Sequence, residues 1–349
     1  MKINSTKIIL ASTLICLNLS NLNANQNETI TVKVPEVPKV LAKVPSVNVV
    51  TVGGTAYSNN PELEERPKKR SAIGSSHRIP PNYNKQESSQ VFKDVKVGEV
   101  NNSRVSAYLQ STLIPKDELI KKLQDAGFKV LSEYKIDKKG ELTSIVFTNE
   151  EITKIASKDM RGFAGSLRVL IDKSNSQISI SNPLYVMKAF MQDEYNEKVA
   201  KETLDNIHSV FKDLKNSKDI VKFSRLERYQ FMKNMPYYQD MTKIAVGENK
   251  LLLEKAKKSK KIVYEHHLDN GSVIIGVELS SRTSKFVKKT GYQNSGLLPY
   301  PVLIENNTAK ILAPKYYIAV MYPMLSMSEF MTIATIPGAI EKDCDRVFR

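Results

Sequence analysis

The feature that most constrains this chain is an internal repeat. Setting residue i beside residue i + 132 pairs Leu119 and Ile120 with Leu251 and Leu252, Val130 and Leu131 with Ile262 and Val263, Glu133 with Glu265, and Asp137 with Asp269. After small gaps the correspondence continues: Val169, Leu170 and Ile171 fall on Val302, Leu303 and Ile304, Ile180 on Ile311, Pro183 on Pro314, and Tyr185 on Tyr316. A near-constant offset, with the same element order and helix-opening proline in both halves, argues for duplication rather than coincidence. The expected fold class is α+β, with two homologous small α/β-sandwich-like domains, each in the order β-α-β-β-α-β-β-α. The repeats are expected at 99–215 and 237–349, joined through 216–236 by a polar helical segment around Lys218 to Met235.

Local signals supply that order. Val105 to Ile114 alternates as a strand, and Pro115 then sits in a first helical turn, where its missing N–H costs nothing. Leu119, Ile120 and Leu123 form a helical stripe that stops before Gly127. Phe128 to Ile136 and Leu142 to Phe147 read as a hairpin turning at Asp137-Lys138-Lys139-Gly140. Asn149 is placed to cap a short helix over Thr148 to Ser157. A second hairpin follows at Leu167 to Ile171 and Gln177 to Ile180, then a helix opened by Pro183, with helical character again from Glu194 to Leu214.

The amino terminus sets the expected compartment. Lys2 and Lys7 precede an apolar stretch from Ile8 to Leu19, and Leu22-Asn23-Ala24 closes on a small residue, the order of a secretory leader cleaved after Ala24. The stretch falls short of the roughly 18 apolar residues of a spanning helix, so no transmembrane segment is expected once 1–24 is removed. Residues 25–98 read as a disordered, Pro-containing tether: Val34-Pro35, Val37-Pro38 and Val44-Pro45 favour extended chain. Val47 to Val52 offers one short strand there. The expected location is periplasmic, with extracellular release as the alternative.

Charge and cysteines narrow the partners. The formal net charge is +15, and loss of Lys2 and Lys7 with the leader leaves +13. A basic exported protein meets anionic envelope components or an acidic partner protein rather than nucleic acid. Cys16 leaves with the leader, so Cys344 has no partner for a disulfide within the chain. Glu341, Asp343 and Asp345 surround it with negative charge that opposes thiolate formation.

Gly296-Leu297-Leu298-Pro299-Tyr300-Pro301-Val302-Leu303-Ile304, followed by a turn and Lys310-Ile311-Leu312-Ala313-Pro314, resembles the domain-of-unknown-function 302 family. Phe163-Ala164-Gly165-Ser166-Leu167-Arg168-Val169-Leu170-Ile171 through Asn182-Pro183 looks like a second, more diverged copy, so the likeness spans most of residues 105–349. The resemblance implies a small α+β fold that pairs into dimers, and hence two fused copies packed in a two-fold manner or capable of self-association. Tyr300 stands where many members carry cysteine, and Leu167 stands at the matching point of the first copy. Thiol and metal chemistry are therefore not expected.

The remaining chemistry is sparse. His266 and His267 are adjacent on a strand and point to opposite faces, so they do not chelate one metal together. There is no Cys-x-x-Cys, His-Glu-x-x-His, Gly-rich phosphate loop or Gly-x-Ser-x-Gly elbow, so no metal or cofactor is expected. Arg161 and Arg168 flank the weaker signature, and either binds a carboxylate or phosphate if it lies inward. Met321, Met324, Met327 and Met331 are spaced for one helix face. Pro299 and Pro301 lack backbone donors, which places Tyr300 at a sheet edge or bend. The ligand-site expectation is Tyr300 with Tyr316 and one of His266 or His267 near it, and Arg168 as a separate candidate. The functional expectation is a non-catalytic binding or scaffold module of the bacterial cell envelope. The alternative is an enzyme or redox accessory acting on a small molecule in the cleft between the domains.

Overall fold

The structure is a computed structural model of the chain and describes residues 49–52, 55–58 and 95–349. The expected leader and nearly all of the expected tether lie outside the described residues. Within them, Val49–Val52 (β1) pairs antiparallel with Thr55–Ser58 (β2). The chain divides into Met1–His77 and Arg78–Arg349, and the second unit carries the repeat. Val97 and Gly98 already belong to its packing: Gly98 is buried beside Leu204, and the Val97 carbonyl lies 2.8 Å from His208 Nε2.

The first half runs β3 (Arg104–Ser106), β4 (Tyr108–Thr112), α1 (Lys116–Asp125), β5 (Lys129–Lys135), β6 (Leu142–Thr148), α2 (Glu150–Ala156), β7 (Leu167–Asp172), β8 (Gln177–Ser181), α3 (Pro183–Met191) and α4 (Glu197–Val210). Short strands β9 (Lys215–Asn216) and β10 (Ile220–Lys222) lead out of it. The second half runs β11 (Thr242–Val246), α5 (Asn249–Lys258), β12 (Ile262–His267), β13 (Val273–Val277), α6 (Val287–Thr290), β14 (Tyr300–Glu305), β15 (Thr308–Ile311), α7 (Pro314–Met321), α8 (Met327–Thr332) and α9 (Ile336–Arg346). From β4 and from β11 onward the order is β-α-β-β-α-β-β-α in both halves.

The caps explain where these helices start. Asn149 Oδ1 accepts from the Ile152 amide at 2.8 Å, and Asn182 Oδ1 from the Leu184 amide at 3.0 Å. Each satisfies one of the donors a helix start leaves open. Pro183 and Pro314 occupy first-turn positions of α3 and α7, as expected of their fixed backbone angle.

The sheets repeat as well. The first orders its strands β5-β6-β7-β8-β4-β9 and the second β12-β13-β14-β15-β11, all neighbours antiparallel. Apart from β9, these are the same arrangement. The connection differs from expectation: instead of a helical segment it forms β10, which pairs with β3, and a 3-10 turn over Phe223–Arg228.

The halves pack reciprocally. The 3-10 turn Gly162–Ala164 lies on β13 and β14, while the turn Ser295–Leu297 lies on β6 and β7. A Cβ at Gly162 would sit 2.6 Å from Leu303, and one at Gly296 3.3 Å from Leu170. Leu170 and Leu303 are themselves repeat partners. The Tyr185 hydroxyl donates to the Val320 carbonyl at 2.6 Å, and the Tyr316 hydroxyl to the Ala189 carbonyl at 3.4 Å. Donors and acceptors in these two bonds exchange under one sequence offset, which is the signature of a two-fold interface. The buried apolar residues of both halves form one continuous core.

β14 is the third of five strands in its sheet, but β15 pairs with it only from Leu303 to Glu305, so Tyr300 and Pro301 are paired on the β13 side alone, the edge-like stretch that the two prolines call for. A further expectation is corrected. The methionines do not share a helix face. Pro323 separates α7 from α8, Met321 is buried, and Met324 and Met331 are exposed.

Candidate functional site

The anticipated residues fall in separate places. Tyr300 is fully buried, donates to the Leu312 carbonyl at 3.0 Å and meets the Tyr317 ring edge-to-face with centroids 5.1 Å apart. Burial pushes its hydroxyl pKa well up. Consecutive positions on α7 both reach the seam: Tyr317 packs between Tyr300 of its own sheet and Phe190 of the first half, while Tyr316 meets Tyr238 and donates across the seam to the Ala189 carbonyl. Among the described residues no hydrogen bond, ion pair or ring contact joins Tyr300 to Tyr316, His266, His267 or Arg168.

His266 and His267 do point to opposite faces of β12. His267 is exposed, 3.7 Å from Glu265. His266 is buried with Nε2 3.1 Å from Thr153 Oγ1 of α2. Its pKa is pulled down to about 4, first by burial, then by Lys129 and His267, against a smaller pull from Asp269. A neutral imidazole tying one half to the other is a structural contact.

Tyrosine hydroxyls cap α7 at the seam, a role for which no sequence pattern signals. Three carbonyls at its C-terminal end accept from three tyrosines: Ala319 from Tyr229 at 3.0 Å, Val320 from Tyr185 at 2.6 Å, and Met321 from Tyr108 at 2.7 Å. These carbonyls lack helical donors because the helix stops at Met321. Glu305, buried on β14, accepts the Met160 amide across the same seam with both carboxylate oxygens, at 3.2 and 3.1 Å. Burial leads in raising its pKa.

Both arginines beside the weaker signature lie inward. Arg161 donates to Asp193 at 2.8 Å and sits 5.6 Å from the centroid of the Tyr238 ring. Arg168 is 5% exposed. Cys344 is fully buried, and burial leads Asp343 and Glu341 in raising its pKa.

Open space is found elsewhere between the halves. A cleft of about 480 Å3 lies between the β5–β6 turn and the segment that carries α6. Lys138 and Lys139 enter from one side and Lys285 and Lys288 from the other, over Leu142 and Val287. None of the four lysines has an ion-pair partner among the described residues. Three acids line the cleft with them: Asp137 accepts from the Lys139 and Leu142 amides at 3.1 and 2.8 Å, Asp172 from the Asn175 amide and side chain at 3.1 and 2.7 Å, and Glu141 from the Ser174 hydroxyl at 3.4 Å. Lys138 and Lys139 were visible in the sequence as turn residues, but their meeting with the α6 lysines follows only from the packing of the halves.

Fold and seam define a single-chain pseudo-dimer of two α+β halves. No family model, no curated protein and no solved structure matches the chain. Among the described residues no helix is long and apolar enough to cross a membrane, and no group of three or more His, Cys, Asp or Glu is placed to hold a metal ion.

Proposed function

We propose that this protein is an exported, non-catalytic binding or scaffold module of the bacterial cell envelope, built from two tandem copies of the domain-of-unknown-function 302 type, and that the cleft between its halves receives an anionic envelope component. The observation that carries the reading is the meeting of four lysines without ion-pair partners over an apolar floor. Such a surface suits a ligand with an anionic head and an apolar body, because the head gains charge contacts while the body leaves water. The leader-type amino terminus and the net charge of +15 support the location and the sign of the partner. Ser281 and Ser284 line the cleft, but no histidine does, which favours binding over acyl transfer.

The test uses an anionic aromatic probe, 1-anilinonaphthalene-8-sulfonate. Its fluorescence is expected to rise saturably with the protein, and dodecyl phosphate is expected to displace it while the uncharged dodecyl maltoside does not. Lys285→Glu with Lys288→Glu should abolish the rise without changing the melting temperature. Equal binding by this folded variant, or equal displacement by both detergents, overturns the reading.

A further inference from the structure

The methionine run that ends on α8 is not accounted for by packing. Met321 is in the core, but Met331 and Met324 are 62% and 44% exposed and Met327 is half-buried. Met327 and Met331 stand four apart on α8 and so share one of its faces, with Cβ atoms about 5–6 Å apart. Phe330 is buried against the Phe231 ring, with centroids 5.4 Å apart, and this fixes the rotation of α8 so that the shared face lies at the solvent boundary. Met324 precedes Met327 by three residues, so their Cα atoms are at most about 11 Å apart. Unbranched thioether side chains with three rotatable bonds close such gaps without moving the backbone.

The other donors at this place are committed or absent. Glu329 accepts from the Ser326 amide at 2.8 Å and from the Ser326 hydroxyl at 2.7 Å, which closes the capping box of α8. The same bonds keep its carboxyl ionised, so a negative charge stands one turn from the sulfurs. No histidine or cysteine occurs between Met321 and Ile336. What this surface offers a ligand is therefore neutral thioether sulfur beside one fixed carboxylate. Thioethers are soft donors: they select copper(I) and give little to zinc, magnesium or calcium, which prefer nitrogen and oxygen. They also carry no proton to be displaced.

We propose that Met327 and Met331, with Met324 as third ligand, form a surface site for a soft monovalent cation, copper(I). The pair on the helix face supplies two sulfurs from a rigid element, and Met324 closes on them from the preceding loop. The exposure of Met324 and Met331 leaves the ion room to enter from solvent. The site lies outside the lysine cleft and does not rest on the function given to the cleft.

The experiment is a titration of the full chain, labelled with carbon-13 at the methionine methyl groups, with silver nitrate in chloride-free buffer. Silver(I) serves as a probe of the same softness and charge that does not change oxidation state. The Met324, Met327 and Met331 resonances are expected to shift together and saturate at an equimolar amount, while that of Met241, half-buried before β11, stays in place. Copper(I), kept reduced with ascorbate under argon, should displace the silver, and zinc sulfate should not. Met327→Leu with Met331→Leu conserves volume and should remove the response of Met324. Unmoved Met327 and Met331 resonances, shifts that Met241 follows at the same silver concentration, or failure of copper(I) to displace silver each overturns the proposal. So does an undiminished Met324 response in the variant, and should that variant not fold, the titrations of the parent chain decide alone.

Discussion

Tyr185→Phe deletes one hydroxyl and leaves the ring packing intact, so it isolates the capping bond to Val320. That bond is 2.6 Å long and fully buried, and its acceptor lies in the last turn of α7. With Pro323 following, no helical N–H replaces the lost donor. A net hydrogen bond contributes about 0.5–1.5 kcal/mol, and stranding a buried carbonyl costs about 1–3 kcal/mol, so a loss of about 2 kcal/mol is expected. The repeat-related change, Tyr316→Phe, deletes a 3.4 Å bond to Ala189, whose carbonyl also accepts from the Gln192 side chain. Its expected cost is about 0.5 kcal/mol or less, the lower end of the same range. Urea unfolding followed by far-ultraviolet circular dichroism measures both, and with a slope of about 3 kcal/mol/M the Tyr185 variant should lose about 0.7 M in midpoint at unchanged slope. Equal costs for the two variants, or a larger one for Tyr316→Phe, would refute the capping argument.

Gly276→Ala should be among the most disruptive small changes, because its Cβ would lie 2.2 Å from the Tyr264 ring and 2.9 Å from Pro299. A cost of about 1–3 kcal/mol is expected from overpacking, and a variant melting within a degree of the parent contradicts that geometry. His266 predicts a pH effect. The unfolded chain takes up this proton near the ordinary value of 6.5, while the fold resists it until about 4. Stability from this group is therefore lost as pH falls through that window. His266→Gln should flatten the decline in melting temperature between pH 6.5 and 4.5, and an unchanged profile would place the titration elsewhere.

Much of the fold was legible because it rests on local rules. The helix-opening prolines at 183 and 314, the Asn149 cap and the alternating strands each act over a few residues, and the repeat doubled the weight of every one. Pro299 and Pro301 argued for an edge or bend, and pairing on the β13 side alone agrees with them, although how far β15 extends is not encoded in their own sequence. The error lies where a helix ends. The methionine spacing assumed one helix across Pro323, whose ring ends it.

The candidate site divides the same way. By itself the sequence determined the duplicated α+β order, the inward or outward alternation of His266 and His267, and the excess of positive charge, since each follows from period, spacing or composition. Only the tertiary structure decided that Tyr300 spends its hydroxyl on Leu312, that the lysines of two distant segments share one cleft, and that Arg168 is buried. The physical reason is that desolvation and charge pairing depend on what the second half places against the first, and the seam joins residues more than a hundred positions apart in the chain.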